Sequence, residues 1–398
     1  MIAQTNLRRQ RGYEIAQQKT IKIIKSGWLV ESQSGNGFYK VSNEFICNCP
    51  DSELHKETCK HAFAVRYYLN IEKRSMHGLE THKIPLTYSQ AWTTYNQAQM
   101  SEGKLFYELL RDLVKDLEDP LNKQKTGRPR MKFNDTMYLA IAKVYSQLSC
   151  RRANSLFGIV RDRGFVKEIP HFNALSVVLN RADITPILQE LIATTSAPLK
   201  SVEVAFAVDS SGFRTRSFSP YVDDKYGIKR EHKWIKAHIC VGTKTNVITA
   251  LKITEGYSAD SKEFIQLAQT TKDNGFDIQE ISADKAYSSR ENFSYIDSIG
   301  GTAFIPFKSN SRAKPKGSRI WNKMYHYFNM NKDEFMLHYH KRSNVESTFA
   351  SIKRKLGDTL KSKNRTSQIN ELLCKIIAYN ITVLIQEMYE LGMTIDLQ

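Results

Sequence analysis

The chain has 398 residues, 41% of them apolar and 25% charged, an ordinary composition for two or three packed domains. Fifty-eight Lys and Arg against 41 Asp and Glu give a formal charge of +17, a surplus that favours a polyanionic partner, because each phosphate neutralised releases condensed counterions. The first residues form no secretory signal, and the apolar stretch Leu372 to Met393 is broken by Lys375, Asn380, Gln386 and Glu387, so neither export nor a membrane span is expected.

A cytoplasmic chain keeps its thiols reduced, so its six cysteines point to metal binding more than to disulfides. Cys150, Cys240 and Cys374 are scattered and read as small core residues. The other three fall in residues 1–75 as Cys47-x-Cys49-x9-Cys59-x-His61, a closed set of four soft or imidazole ligands suited to one structural, tetrahedral Zn²⁺. His55 lies between the two pairs and is an alternative to His61. Strands are expected at Trp28 to Glu31 and Phe38 to Val41, around the turn Ser34-Gly35-Asn36-Gly37, with a helix from His61 through Tyr68. Residues 26–70 thereby resemble the ββα SWIM zinc finger, which implies a contact with DNA or protein.

Residues 76–125 read as a connector whose helix, Glu102 to Leu117, aligns Leu105, Leu109, Leu113 and Leu117 and stops at Asp119-Pro120. Residues 126–200 predict helices at Asn134 to Leu148, Arg151 to Val160 and Phe172 to Arg181. These fit either a helix-turn-helix-like DNA-binding domain or a generic helical packing domain. The segment opens on Thr126-Gly127-Arg128-Pro129-Arg130. Its Gly-Arg-Pro core resembles an AT-hook that slips Arg128 and Arg130 into a minor groove, and it also fits a solvated basic linker.

Residues 201–398 change pattern. Strands are expected at Val202 to Val208, Trp234 to Val241 and Asn246 to Ile253. A helix at Ser261 to Thr271, a strand at Ile278 to Ala283, a helix at Arg290 to Ile299 and a strand at Ala303 to Phe307 follow, and helices begin near Asn344 and Ser367. This order predicts an α/β domain with a mixed sheet. Asp209 and Asp284 end two buried strands, where ligands bind in open sheets. Each also fits a turn or loop opener, and Ser343-x-x-Glu346 fits a capping box. Converging with Glu346, the two Asp carboxylates form a hard oxygen set for two Mg²⁺ (or Mn²⁺) ions, as phosphoryl transfer requires. Around Glu346 the chain reads Tyr339-x2-Arg342-x3-Glu346-x6-Lys353, and on a helix Arg342, Glu346 and Lys353 fall within about 40° of one another. Val345, Phe349, Ile352 and Leu356 supply the neighbouring apolar stripe.

Residues 200–385 resemble the DDE insertion-sequence transposases that carry a Y-R-E-K signature, through this stretch and through Ala207-Val208-Asp209-Ser210, Ala283-Asp284-Lys285-Ala286-Tyr287 and Gly301 to Phe307. The resemblance implies an RNase H-like catalytic domain, with Asp209, Asp284 and Glu346 as metal ligands and Tyr339, Arg342 and Lys353 contacting transposon-end DNA. It also implies cut-and-paste chemistry on double-stranded DNA, element ends and target alike; holding two ends together then calls for a homodimer, and the lack of a signal or span places it in the cytoplasm. Only 61 residues separate Asp284 from Glu346, too few for the β-rich insertion of some relatives. Residues 341–365 hold eight Lys or Arg against two acids, and a second basic run, Lys308 to Lys323, places Trp321 as a base-stacking group. A DNA-binding protein without catalysis and a structure-selective nuclease of the same fold are the alternatives.

Overall fold

The structure, a computed structural model, describes residues 2–397 apart from 19, 25, 33–36, 56–57, 70–71, 76–77, 82–90, 122–130, 216–224, 226–233, 257, 259 and 315–316. At 2–7, 18, 54–55, 72–75 and 78–81 it describes the backbone alone. Arg128 and Arg130, and the turn residues Ser34, Gly35 and Asn36, therefore lie outside the described residues. The chain divides into two compact units, 1–90 and 91–398.

The first unit is richer than a ββα finger. Helix α1 (Ile2–Gln18) precedes a three-stranded antiparallel sheet of β1 (Ile21–Ile24), β2 (Gly27–Glu31) and β3 (Phe38–Val41), in that order. The short α2 (Pro50–His55), α3 (Lys60–Tyr68) and the hairpin of β4 (Glu72–Ser75) and β5 (Gly78–Thr81) follow. Gly12 lets α1 lie against α3, since a Cβ there would fall 2.5 Å from that of Phe63. Gly27, at φ +132°, enters β2 where a Cβ would meet the Val41 carbonyl oxygen at 2.0 Å. The core is small: Ile15, Val30, Val41, Ala62, Ala64 and Val65, completed by the three clustered cysteines.

In the second unit five helices come first: α4 (Trp92–Val114), α5 (Phe133–Tyr145), α6 (Cys150–Asp162), α7 (Ala174–Leu179) and α8 (Ile184–Ser196). A sheet follows, built from β6 (Ala205–Arg214), β7 (Trp234–Gly242), β8 (Ile248–Glu255), β9 (Glu280–Ala283) and β10 (Thr302–Phe304). Its spatial order is β10-β9-β6-β7-β8, with β10, β9 and β6 parallel and β7 and β8 antiparallel to their neighbours. Helices α9 (Phe264–Asp273) and α10 (Arg290–Ser298) alternate with the later strands, and α11 (Arg319–Met330), α12 (Lys332–Tyr339), α13 (Ser343–Leu356) and α14 (Arg365–Glu390) close the chain. A mixed five-stranded sheet with helices on both faces fits the expected RNase H-like domain.

The period of two divides the strands between two cores. Ala207, Phe213, Ile235, Ala237, Ile239 and Val241 face α4 to α8, α13 and α14, while Phe206, Val208, Cys240 and Ala250 face α9 to α12. The helices of 91–200 therefore share one core with α14 and the sheet, and the boundaries expected at 125/126 and 200/201 do not separate compact units. Helix α5 shows why, with eleven of its thirteen side chains buried.

Three of the four polar residues that interrupt α14, Lys375, Asn380 and Glu387, are buried, while Gln386 is half-buried and donates to exposed Glu390. That helix alone among the described ones is long and apolar enough by composition to cross a membrane, yet 94% of its apolar window is buried inside the protein. Its polar side chains satisfy buried backbone instead. Asn370 donates to the carbonyls of Leu179 and Arg181, both at 2.9 Å, and Lys375 donates to those of Gly357 and Thr359 beyond α13. Asn380 accepts from the Ile248 amide at 3.0 Å and donates to its carbonyl at 2.9 Å, tying α14 to the edge strand β8. Replacing Asn380 by Leu keeps volume but abandons both Ile248 groups, each costing about 1–3 kcal/mol. We predict a clearly lower denaturant midpoint for the Asn380→Leu variant. A midpoint shift worth less than about 0.5 kcal/mol, the size of a neutral surface change, would disprove the tie.

Candidate active site and metal centre

Strand pairing builds the site. Strands β6 and β9 are parallel with Val208 opposite Ala283, so the next residue on each, Asp209 and Asp284, stand beside one another. The strand bearing Asp209 does not end there. It runs on to Arg214, paired with β7 up to Trp234, and only its parallel neighbour stops at Ala283. Asp209 thus sits where the sheet opens on one side, on the face that α13 covers. Asp284 begins the 3-10 turn Lys285–Tyr287 and accepts its first amide at 2.6 Å, so the turn-forming role is real and coexists with the position beside Asp209.

Glu346 reaches the same place from α13. Val345, Phe349, Ile352 and Leu356 are buried as the apolar stripe requires, and Phe349 meets Phe213 of β6 with ring centroids 6.5 Å apart. The capping box does not form. Ser343 is already helical and makes no cap bond, because the 3-10 turn His340–Arg342 carries the chain from α12 directly into α13. Arg342 is consequently held by the fold. Its guanidinium donates to Asp209 Oδ2 at 2.9 Å and to Glu346 Oε1 at 2.7 Å, bridging two of the three carboxylates, while its buried Nε has no partner among the described residues. Lys341 donates to Glu280 at 2.6 Å and His338 lies 3.0 Å from the same carboxylate, fastening the turn to β9.

Burial pushes the Asp209 carboxyl up, and the charges of Glu346 and Asp284 add to that, against the Ser210 amide and Arg342, which pull it down. Tyr339 is half-buried at the end of α12, where all three carboxylates and Arg342 act on its hydroxyl. The three acids therefore converge. They are not drawn as tightly as a metal cage, for Arg342 occupies the space between two of them. Lys353 lies two turns along α13, where its ammonium donates to Ser211 at 2.7 Å and stands 5.3 Å over the Phe213 ring. An all-carboxylate donor set whose charge is only partly offset fits hard divalent cations.

Trp321 does not join this site. Its ring is 5% exposed and packs among Phe293 and Phe307, because Arg319 starts a helix where a basic loop was expected to continue. A ring so enclosed, with the Arg290 guanidinium 4.7 Å over it, leaves no open face for a nucleobase. What the sequence reading missed was the bridge itself, although Arg342 and Glu346 stand at the helical i,i+4 spacing that forms such pairs.

In the first unit Cys47, Cys49, Cys59 and His61 are buried with their ligand atoms all within 4.8 Å of one another. His61 Nδ1 lies 3.9 Å from the Cys47 sulfur and 4.0 Å from that of Cys59, and its Nε2 has no partner among the described residues. Tetrahedral edges of about 3.5–3.8 Å follow from zinc–sulfur and zinc–nitrogen bonds of about 2.3 and 2.0 Å, so the four residues fit the ion. Without a cation the sulfurs share protons unequally. The Cys59 thiol is pulled down to about 4, first by its hydrogen bond with Cys47, and Cys47 is pushed far up by the same contact. The side chain of His55 lies outside the described residues. Cys240 and Cys374 are buried, and Cys150 starts α6 within 3.6 Å of the Ser176 hydroxyl.

Residues 200–381, which hold the sheet, the three carboxylates and most of α14, match the family model of the transposase DDE domain. A cryo-EM structure of the piggyBac transposase synaptic complex with hairpin DNA is similar at 12% identity, with a TM-score of 0.36, over 73% of this chain and 75% of that one. No curated protein sequence matches the chain.

Two predictions follow from these geometries. In the full chain, Cys59→Ser should abolish stoichiometric zinc and open residues 26–70 to protease, while a variant that keeps both its zinc and its protection would remove the metal centre. Arg342→Gln should bind Mn²⁺ several-fold more tightly than the parent in the absence of DNA, since a competing positive charge about 4 Å away is gone; equal or weaker binding by titration calorimetry would contradict the bridge.

Proposed function

We propose that the transposase DDE domain at residues 200–381 makes the whole chain a DNA transposase that cuts and rejoins strands at the Asp209, Asp284 and Glu346 site. One observation carries the reading: the β6–β9 register sets two carboxylates side by side, and α13 delivers the third to within one guanidinium of them. Two Mg²⁺ or Mn²⁺ ions held by these side chains would supply charge neutralisation at the scissile phosphate and activation of the attacking oxygen. The remaining duties belong to the chain itself. The sheet fixes Asp209 and Asp284 rigidly, and the α12–α13 junction carries Tyr339, Arg342 and Glu346 as one block. Arg342 and Lys353 are cations beside the carboxylates and suit the phosphates flanking the break.

In the first step water attacks phosphorus in line, the bond to the 3′ oxygen breaks, and the element end leaves as a 3′-hydroxyl. In the second, that hydroxyl attacks a phosphorus of target DNA and expels another 3′ oxygen. The first step is a hydrolysis that loses one phosphodiester, the second a transesterification that conserves their number, and neither needs ATP or a covalent enzyme intermediate. Joining two ends requires two copies of the site, so the acting form is a homodimer on DNA.

The Cys₃His unit is read as a SWIM-type zinc module that contacts DNA or protein. Helix α6 exposes Arg151, Arg152 and Arg161 on its outer face, which suits a backbone-tracking role for the helical region.

We predict that Asp209→Asn abolishes strand cleavage and joining in a Mg²⁺ assay with paired element ends, a loss of at least about 10³-fold as for other groups that stabilise transition-state charge. Affinity for the same DNA should change less than about threefold, because the carboxylate repels rather than binds phosphate. Cleavage at the parental rate would refute the site, and retarded complexes without any joined product from the parent chain would favour a DNA-binding protein without catalysis.

A further inference from the structure

A second basic feature lies at the same end of the sheet and belongs to none of the roles above. Strands β10, β9 and β6 are parallel, so the chain leaves β10 on the side where Asp284 leaves β9. Six residues after Asp284, Arg290 opens α10. Together with Asn310, Ser311, Arg312, Lys314 and the edge of Trp321 it lines a cavity of about 370 Å³.

The cations here are held in place without counter-charge. Arg290 sits 4.7 Å over the Trp321 ring and donates to the Lys314 carbonyl at 3.0 Å, and its buried Nε finds no acceptor among the described residues. The Trp321 indole nitrogen donates to the Arg312 carbonyl at 2.9 Å, pinning the loop that carries Arg312 and Lys314. None of the three cations has a carboxylate partner among the described residues. The local sequence offers none either, for Ser298 to Lys332 contains seven Lys or Arg and no acid. Three like charges around one cavity repel each other unless an anion joins them, and the neutral donors of Asn310 and Ser311 add hydrogen bonds suited to phosphate oxygens. The buried indole serves as the wall that keeps Arg290 planar and aimed.

We propose that this cavity binds a backbone phosphate of the DNA strand passing the carboxylate site, an assignment that rests on the DNA-cleaving reading for the identity of that strand. Phosphate chemistry is shared by DNA and by free phosphate, and the two are separable.

The test uses the full chain carrying Asp209→Asn, which binds DNA without cutting it. Arginine labelling by phenylglyoxal, read by peptide mass spectrometry, is compared with a duplex, with inorganic phosphate at the same total phosphate concentration, and with neither. Protection of Arg290 and Arg312 by duplex but not by inorganic phosphate is expected. Protection by inorganic phosphate alone, or by neither, would overturn the assignment. In the same background Arg312→Ala with Lys314→Ala should flatten the salt dependence of duplex binding by about two phosphates, roughly 0.9 in log–log slope for each. An unchanged slope with intact DNA binding sinks this cavity alone, whereas absence of any DNA binding by the parent chain sinks the transposase reading itself.

Discussion

The parallel pairing of β6 with β9 is the constraint on which the site depends. A parallel register places equivalent positions side by side on one face, so Asp209 and Asp284 cannot be separated without shifting the strands. A slip of one residue would turn Asp209 toward the opposite core, where Phe206 and Val208 pack. Two adjacent carboxylates, one of them largely buried, repel and lose hydration. The fold tolerates this because Arg342 is carried to the same spot by a junction fastened elsewhere, through Lys341 and His338 to Glu280 on β9 and through Asn344 to the Thr243 carbonyl. Stability for that junction comes from the apolar stripe of α13, and the stripe is covered in turn by α14.

That chain of dependence explains why α14 is so heavily polar for a buried helix. The sheet and the α13 end both expose backbone groups toward the core, and Asn370, Lys375 and Asn380 satisfy them from inside. Burial holds the Lys375 ammonium down to about 8, the cost of using a cation where no water reaches. The first unit meets its burden differently. Its apolar core is small, and a cation held by the Cys₃His cluster would both resolve the shared protons and close the long connection between Cys49 and Cys59.

Much of this was legible in the sequence where one physical signal acted alone. The strand runs with Val, Ile and Phe were found to within a few residues, and so was the stripe of α13, because alternation and 3.6-residue periodicity each bury one face. The Cys₃His cluster was legible because soft residues in close pairs have few other uses. Failures came where two signals competed. The run Lys308 to Lys323 reads as basic loop by charge, yet Ile320, Trp321, Met324 and Tyr325 already carry helical spacing, and packing won. Ser343-x-x-Glu346 matches a cap, but capping matters only where a helix begins, and here it continues from the preceding turn. Helix α1 has few apolar residues and its placement rests on Gly12 meeting α3, a contact without local pattern. The end of β6 was misplaced because pairing with β7, a tertiary fact, extends the strand past its hydrophobic run.

Arg342 bears on how the proposed carboxylate site would work. In the ground state the guanidinium offsets two carboxylates that divalent cations would otherwise claim, so it and the ions compete for the same oxygens. A DNA strand changes the balance, since each phosphate brings an anion that an arginine binds in bidentate fashion. Moving Arg342 from Asp209 and Glu346 to a phosphate frees the carboxylates as the substrate arrives, and the ions then gain a site whose charge is no longer neutralised. On the proposed reading metal and DNA binding would be linked through one side chain, and by reciprocity each would strengthen the other. On that reading an isolated chain would hold its metal weakly and cut little, which would suit a strand-breaking enzyme with +17 net charge in the presence of bulk DNA.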